Sequence, residues 1–165
     1  MPNMKALIVS DTHGIDKNFY EVIKRVSPID MIIHAGDLSG SERDIENALP
    51  GVAVKMVTGN NDYCSRLSSV ELFEFDGYKV LLTHGHRDGV YYGSDRLIYK
   101  AAECGAGIVI YGHTHVPSIE FDDALHIWAV NPGSLTLPRQ DGHRPSYIIM
   151  ETDSAGKVHF ALNFL

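Results

Sequence analysis

The chain has 165 residues, 44% of them hydrophobic and 21% charged, with a formal net charge of −7, nine histidines and two cysteines. The acidic balance argues against a protein that grips nucleic acid by its phosphates, since that takes clustered Lys and Arg. No apolar run approaches the roughly 18 residues of a membrane span, and Cys64 and Cys104 make no disulfide framework.

The length supports one domain over residues 1–165 with a substantial core. Lys5 to Val9 reads as a first apolar strand rather than a signal peptide, so a cytoplasmic location is expected. Ile15, Phe19, Val22, Ile23 and Val26 then recur at helical spacing, and Pro28 lies just beyond. A second strand is predicted at 31–34, a short helix at 41–49 with Ser41 as N-cap, and a third strand at 52–59. Strands alternating with helices imply right-handed crossovers and a parallel sheet. The second half changes character. "ELFEF" and "YKVLLTH" flank Asp76-Gly77, a strong hairpin signal. Residues 94–104 predict a helix with Leu97, Ile98, Ala101 and Ala102 on one side. "GIVIYG", "SIEFD", "LHIWAVN", "SYIIMET" and "KVHFALNFL" all read as strands, the last two about a polar turn at Asp153 to Gly156. The expected fold is α/β: two packed mixed sheets with helices outside.

Five of these strands end in the same way. "LIVSDTHG" ends in Asp11 and His13, "MIIHAGD" in Asp37, and "KMVTGNND" in Asn60, Asn61 and Asp62. "KVLLTHGH" ends in His84 and His86, and "IVIYGHTH" in His113 and His115. Ligands of open α/β sheets bind outside the carboxyl ends of the strands, so the five breaks aim metal-type donors at one place. Gly36, Gly59, Gly85 and Gly112 adjoin these residues, where positive φ and close backbone approach would turn side chains into the site. In Asp-x-His and His-x-His, residues two apart share a side of an extended chain. Imidazole with carboxylate and amide oxygen, and no thiolate, suits Mn, Fe, Zn, Ni or Co. The set Asp11, His13, Asp37, Asn60, His84, His113 and His115 is too large for one tetrahedral ion and fits two ions with a bridging carboxylate.

The ordered series Asp-x-His, Gly-Asp, Gly-Asn-x-Asp, Gly-His and Gly-His-x-His resembles the calcineurin-like metallophosphoesterases. "THGH", "YGHTH" and "NPGS" (131–134) look closest to their small single-domain bacterial and archaeal phosphodiesterases. The resemblance runs from Asp11 to about Ser134. It implies a four-layer α-β-β-α sandwich. It also implies one ion on Asp11, His13 and His115, a second on Asn60, His84 and His113, and Asp37 between them. The implied reaction is hydrolysis of a small phosphate ester, a diester first, by a hydroxide bridging two divalent ions, with manganese placed first among the metals. A phosphomonoesterase on the same site and a non-catalytic scaffold of the same fold are the alternatives, and homo-oligomerisation is left open.

Many family members carry His where this chain has Asn61, which cannot act as a general acid. His86 is then the candidate acid. Asp62 is expected to orient a neighbour, such as a ligand's second ring nitrogen. Asn131 and Ser134 are expected to shape a turn beside the site. Tyr91, Tyr92, Arg96 and Arg66 are minor rim candidates, and His34, His126, His143 and His159 read as structural.

Overall fold

In the computed structural model, which describes residues 3–165, the strands form two five-stranded sheets. The first runs β10 (Val158–Phe164), β9 (Ser146–Thr152), β1 (Lys5–Val9), β2 (Met31–His34), β3 (Ala53–Met56). β1, β2 and β3 pair in parallel, joined through helices α1 (Lys17–Val26) and α2 (Glu42–Glu46), and the β9–β10 hairpin adds antiparallel to β1. The second sheet runs β4 (Val70–Phe75), β5 (Tyr78–Thr83), β6 (Ile108–Ile110), β8 (Ile127–Asn131), β7 (Ser118–Asp122). Helix α3 (Asp95–Glu103) carries the chain from β5 to its parallel neighbour β6. The β4–β5 hairpin turns at Asp76 (φ 44°) and Gly77 (φ 88°), the paired left-handed residues a two-residue turn demands. No helix among the described residues is long and apolar enough to cross a membrane.

Strand periodicity divides the core into layers. Successive strand side chains point to opposite faces. Ala6 and Ile8 of β1 therefore face the second sheet, packing with Phe75, Val80, Leu82, Ile108 and Ile110. Leu7 and Val9 face outward onto Phe19, Val22, Ile23 and Val26 of α1 and Ile45 of α2. Across the second sheet, Leu81, Val109 and Ala129 pack on Leu97, Ile98 and Ala101 of α3. Helix, sheet, sheet and helix thus form four layers, and both central sheets are covered.

Three local expectations differ. Ile15 precedes α1 and is 59% exposed, because the Thr12–Ile15 turn belongs to the site loop. The helix expected over 41–49 spans only Glu42–Glu46; Ser41 occupies its N-cap position without a side-chain cap bond, and the Asn47 amide turns back onto Arg43 O at the other end. Ala102 is exposed, so the buried stripe of α3 is Leu97, Ile98 and Ala101.

Phe75 is fully buried between the sheets. Phe75→Ala is expected to lower the unfolding free energy by about 3–5 kcal/mol. Urea unfolding checks this, with a lower midpoint and an unchanged slope.

Candidate metal centre

All five loops leave the carboxyl ends of strands: β1 for Asp11 and His13, β2 for Asp37, β3 for Asn60 to Asp62, β5 for His84 and His86, and β6 for His113 and His115. Two groups of donors converge. Asp11, His13 and His115 form one; Asp11, Asp37 and His84 form the other, with the donor atoms of each group within 4.8 Å of one another. Asp11 Oδ1 lies 3.1 Å from His115 Nε2 and 3.8 Å from both His13 Nε2 and His84 Nε2. Asp37 Oδ2 lies 3.8 Å from His13 Nε2 and 3.5 Å from His84 Nε2, between the histidines of the two groups. Asn60 Oδ1 is 3.0 Å from His84 Nε2. His113 stands beside this cluster, its ring centre 5.1 Å from that of His84, while its backbone N–H donates to Asp11 Oδ2 at 3.1 Å.

The donor chemistry fits divalent cations. Asp11 Oδ1 is buried and has no hydrogen-bond partner. His84 Nδ1 donates to Ala35 O at 2.7 Å and His115 Nδ1 to Leu137 O at 2.7 Å, which leaves each Nε2 lone pair aimed inward. His115 Nε2 in turn lies 3.2 Å from His13 Nε2. Lone pairs crowded around an orphaned carboxylate oxygen are the environment a cation relieves. Burial pushes Asp11 up, but the neighbouring His115 and His84 imidazoles outweigh it and hold the carboxyl below its usual range. Asp37 follows the same balance: His84 and the two Asn61 hydrogen bonds overcome burial and hold it well below that range. Burial pulls His84 down, yet its bond to Asp37 and the charge of Asp11 raise it overall. A proton on His84 therefore competes with a cation for the same carboxylates, so cation affinity rises with pH.

The backbone at the site is strained in a way the glycine pattern did not reveal. Asp11 (φ 54°), His13 (φ 50°), Asp37 (φ 59°), His113 (φ 70°) and His115 (φ 60°) are themselves left-handed. Each such non-glycine residue costs about 1–3 kcal/mol, and clustering of that kind marks functional loops. The Asp-x-His and His-x-His segments therefore present their side chains through left-handed turns, not as an extended strand. Of the four adjoining glycines, Gly36 and Gly85 have positive φ, as expected. Gly59 and Gly112 serve close approach alone: a Cβ would strike the Asp37 carboxylate at Gly59, and Ser10 and Asp11 at Gly112.

Surrounding groups hold these turns. Asp62 accepts from the backbone N–H groups of Asp37 (2.8 Å), Gly59 (2.7 Å) and Ser39 (2.7 Å). It braces the second and third loops against each other and touches no ring nitrogen, which corrects the expected partner. Asn61 donates through its backbone and its side-chain amide to the two oxygens of Asp37. Ser134 Oγ donates to Asp11 O, and Asn131 Nδ2 donates to Gly112 O, so the "NPGS" turn steadies two of the site loops. His34 is fully buried; its Nδ1 accepts from Gly36 N, which leaves Nε2–H to donate to Thr12 Oγ1. His86 is intermediate in exposure, with Nδ1 buried and unpartnered; burial, then His84 and Arg87, push its pKa down. Sequence patterning could not single out Ser10, Ala35 or Leu137. They act through a short hydroxyl contact to Asp11 or through main-chain carbonyls, and neither carries a residue-type signature. Tyr91 does reach the site, its ring centre 4.9 Å from that of His113. Arg66, Arg96 and Tyr92 make no hydrogen bond to the cluster, and the structure gives them no part in it.

Comparison with known proteins gives the family and the fold. A model of the calcineurin-like phosphoesterase superfamily domain matches residues 4–155. The chain is 33% identical over 159 residues to "Probable metallophosphoesterase YsnB" of Bacillus subtilis, covering 95% of this chain and 90% of that one. Among solved structures it is similar to a predicted phosphoesterase of Streptococcus pneumoniae, with TM-score 0.81 and 30% identity, covering 100% of this chain and 90% of that chain. Two more distant structures share the fold. Vps29 of Entamoeba histolytica complexed with zinc has TM-score 0.76 and 22% identity, over 98% of this chain and 99% of that one. An archaeal phosphodiesterase has TM-score 0.68 and 24% identity, over 98% of this chain and 100% of that one.

Asp62→Ala removes one acceptor from three backbone donors. It is expected to cost about 3 kcal/mol of stability and to weaken metal retention about 10–100-fold. Urea unfolding and elemental analysis after dialysis check the two effects separately. His34 supplies a pH test. Burial first of all lowers its pKa from 6.5 to about 4 in the folded chain. The unfolded chain therefore binds the extra proton between those values, and the stability tied to neutral His34 is lost as pH falls from about 6.5 to about 4, by on the order of 3 kcal/mol. Metal-free His34→Asn should show a shallower fall in unfolding free energy across that window than the wild-type chain.

Proposed function

We propose a metal-dependent phosphodiesterase activity for this chain, which belongs to the calcineurin-like phosphoesterase superfamily. The observation that carries the reading is the buried, unpartnered Asp11 Oδ1 with three imidazole Nε2 atoms within 3.8 Å of it. Asp11, His13 and His115 would hold one ion, Asn60, His84 and His113 a second, and Asp37 would lie between them. Two divalent ions in such a site supply Lewis-acid stabilisation of phosphoryl oxygens and an acidified water for in-line attack at phosphorus.

The chain's own residues do the rest. Ala35 O and Leu137 O fix the ring orientation of His84 and His115, so both Nε2 atoms face the cleft. Asp62 locks the Asp37 and Gly59 backbones, and Asn61 holds the Asp37 carboxylate, so that carboxylate would need little rearrangement to hold a cation. Asn61 cannot act as a general acid, which leaves His86 as the candidate, and its lowered pKa restricts that role to its protonated fraction. With a single intermediate-exposure imidazole in that role, esters with good leaving groups turn over faster than alkyl esters. Two hollows flank the cleft and leave room for two alcohol groups. One, of about 310 Å³, is bordered by Ser39, Asn61 and Tyr63; the other, of about 320 Å³, by Tyr91, Thr114 and Val116. This favours a diester, as does the likeness to an archaeal phosphodiesterase.

The likeness to Vps29 keeps a scaffold as the second reading. All seven proposed ligand residues are retained in this chain, and at least five of them converge, which favours chemistry. With Mn²⁺ supplied, the purified protein is expected to hydrolyse bis(p-nitrophenyl) phosphate with a higher kcat/KM than p-nitrophenyl phosphate. Asp37→Asn should cut that kcat/KM by about a hundredfold or more. Faster hydrolysis of the monoester would convert the assignment to a phosphomonoesterase, and no metal-stimulated turnover of either ester would favour the scaffold.

A further inference from the structure

The hollow on the Tyr91 side has a chemistry of its own. Its walls are Val90, Tyr91 and Val116, and Tyr111, Thr114, Ser118 and Glu120 add polar groups. It borders the candidate metal centre through Tyr91, which lines the hollow and packs against His113. Tyr91 forms the partition. Its ring packs edge-on against His113, its hydroxyl donates to His113 O at 3.4 Å, and Arg139 Nη1 donates to that hydroxyl at 2.9 Å.

Glu120 sets the charge of this hollow. One carboxylate oxygen accepts from Ser94 Oγ and the other from Ser118 Oγ at 3.2 Å. No salt bridge among the described residues involves Glu120. The two hydroxyls point it without neutralising it. The result is an exposed, oriented anionic group in a hollow with the exposed ring of Tyr91 in its wall, within a chain of net charge −7. Carboxylate with aromatic faces is the combination that attracts an alkylammonium group, through Coulomb attraction and the ring quadrupoles together. A second anionic group on the substrate would instead meet Glu120.

We propose that this hollow is the subsite for an ammonium-bearing alcohol of the phosphate ester, so that the preferred substrates are zwitterionic: phosphate at the metal cluster, ammonium at Glu120. The proposal rests on the phosphodiesterase reading for the identity of the scissile group, and it names the alcohol that group carries. Tyr91 and Glu120 act as specificity residues.

The test compares phosphocholine with its uncharged isostere, 3,3-dimethylbutyl phosphate, by calorimetric titration into the Mn²⁺-loaded full chain. Wild type is expected to bind phosphocholine about tenfold more tightly. Glu120→Gln should bind the two equally, with affinity for the isostere unchanged, and Glu120→Asp should keep part of the preference. In turnover, Glu120→Gln should raise KM for p-nitrophenyl phosphorylcholine about tenfold relative to KM for bis(p-nitrophenyl) phosphate, a ratio that a general loss of activity would not move. Equal binding of the two ligands by wild type, or a preference that survives Glu120→Gln, overturns the subsite. Failure to hydrolyse either ester would overturn the phosphodiesterase reading alone, since the binding preference is read without turnover.

Discussion

A single buried oxygen organises this molecule. Asp11 Oδ1 has been taken out of water without a hydrogen-bond donor to replace it, and it looks onto the Nε2 atoms of His13, His84 and His115. An isolated buried carboxylate costs many times the free energy of a hydrogen bond unless positive charge is supplied. Protonating His84 answers part of that demand, and a divalent cation answers it fully. The left-handed turns at Asp11, His13, Asp37, His113 and His115 add conformational strain to the same place. The fold supports that strain because the loops stem from the ends of strands anchored in the two packed sheets, with β2 and β6 buried along their whole length. Backbone clamps such as Asp62 and Ser134 then hold the turns where the strands leave them.

The two sheets explain why the donors meet. β1, β2 and β3 run parallel in one sheet, and β5 and β6 run parallel in the other. The inter-sheet core of Ile8, Ile33, Leu82 and Ile110 sets the sheets face to face, so the carboxyl ends of both parallel sets open onto one cleft. Donors drawn from both sheets make the centre depend on sheet packing as well as on loop sequence. Substitutions in that core are thus expected to reach the site through the packing of the sheets.

Much of this was legible in the sequence. Strand order along the chain, the Asp76-Gly77 turn and the helix stripe at Leu97, Ile98 and Ala101 follow from periodicity and turn chemistry, which are local signals. The convergence of Asp11, His13, Asp37, His84 and His115 was legible because polar donors past buried strands share an exit direction. What escaped was non-local. The roles of Ala35 O and Leu137 O are carried by main chain, so no residue type announces them. The partner of Asp62 depends on how loops two and three pack, and spacing alone does not fix it. The turn containing Ile15 sits where a helical apolar spacing continues by coincidence, and tertiary hydrogen bonds to Thr136 override that pattern.

We propose that these loops enclose two divalent cations that share Asp37. Anomalous diffraction from crystals grown with Mn²⁺ tests it most directly. Two manganese peaks about 3.5–4 Å apart are expected, one beside Asp11, His13 and His115, the other beside Asn60, His84 and His113, with an Asp37 oxygen in contact with both. Crystals of the folded chain that show no manganese at this cluster, or manganese bound only elsewhere on the surface, would contradict it.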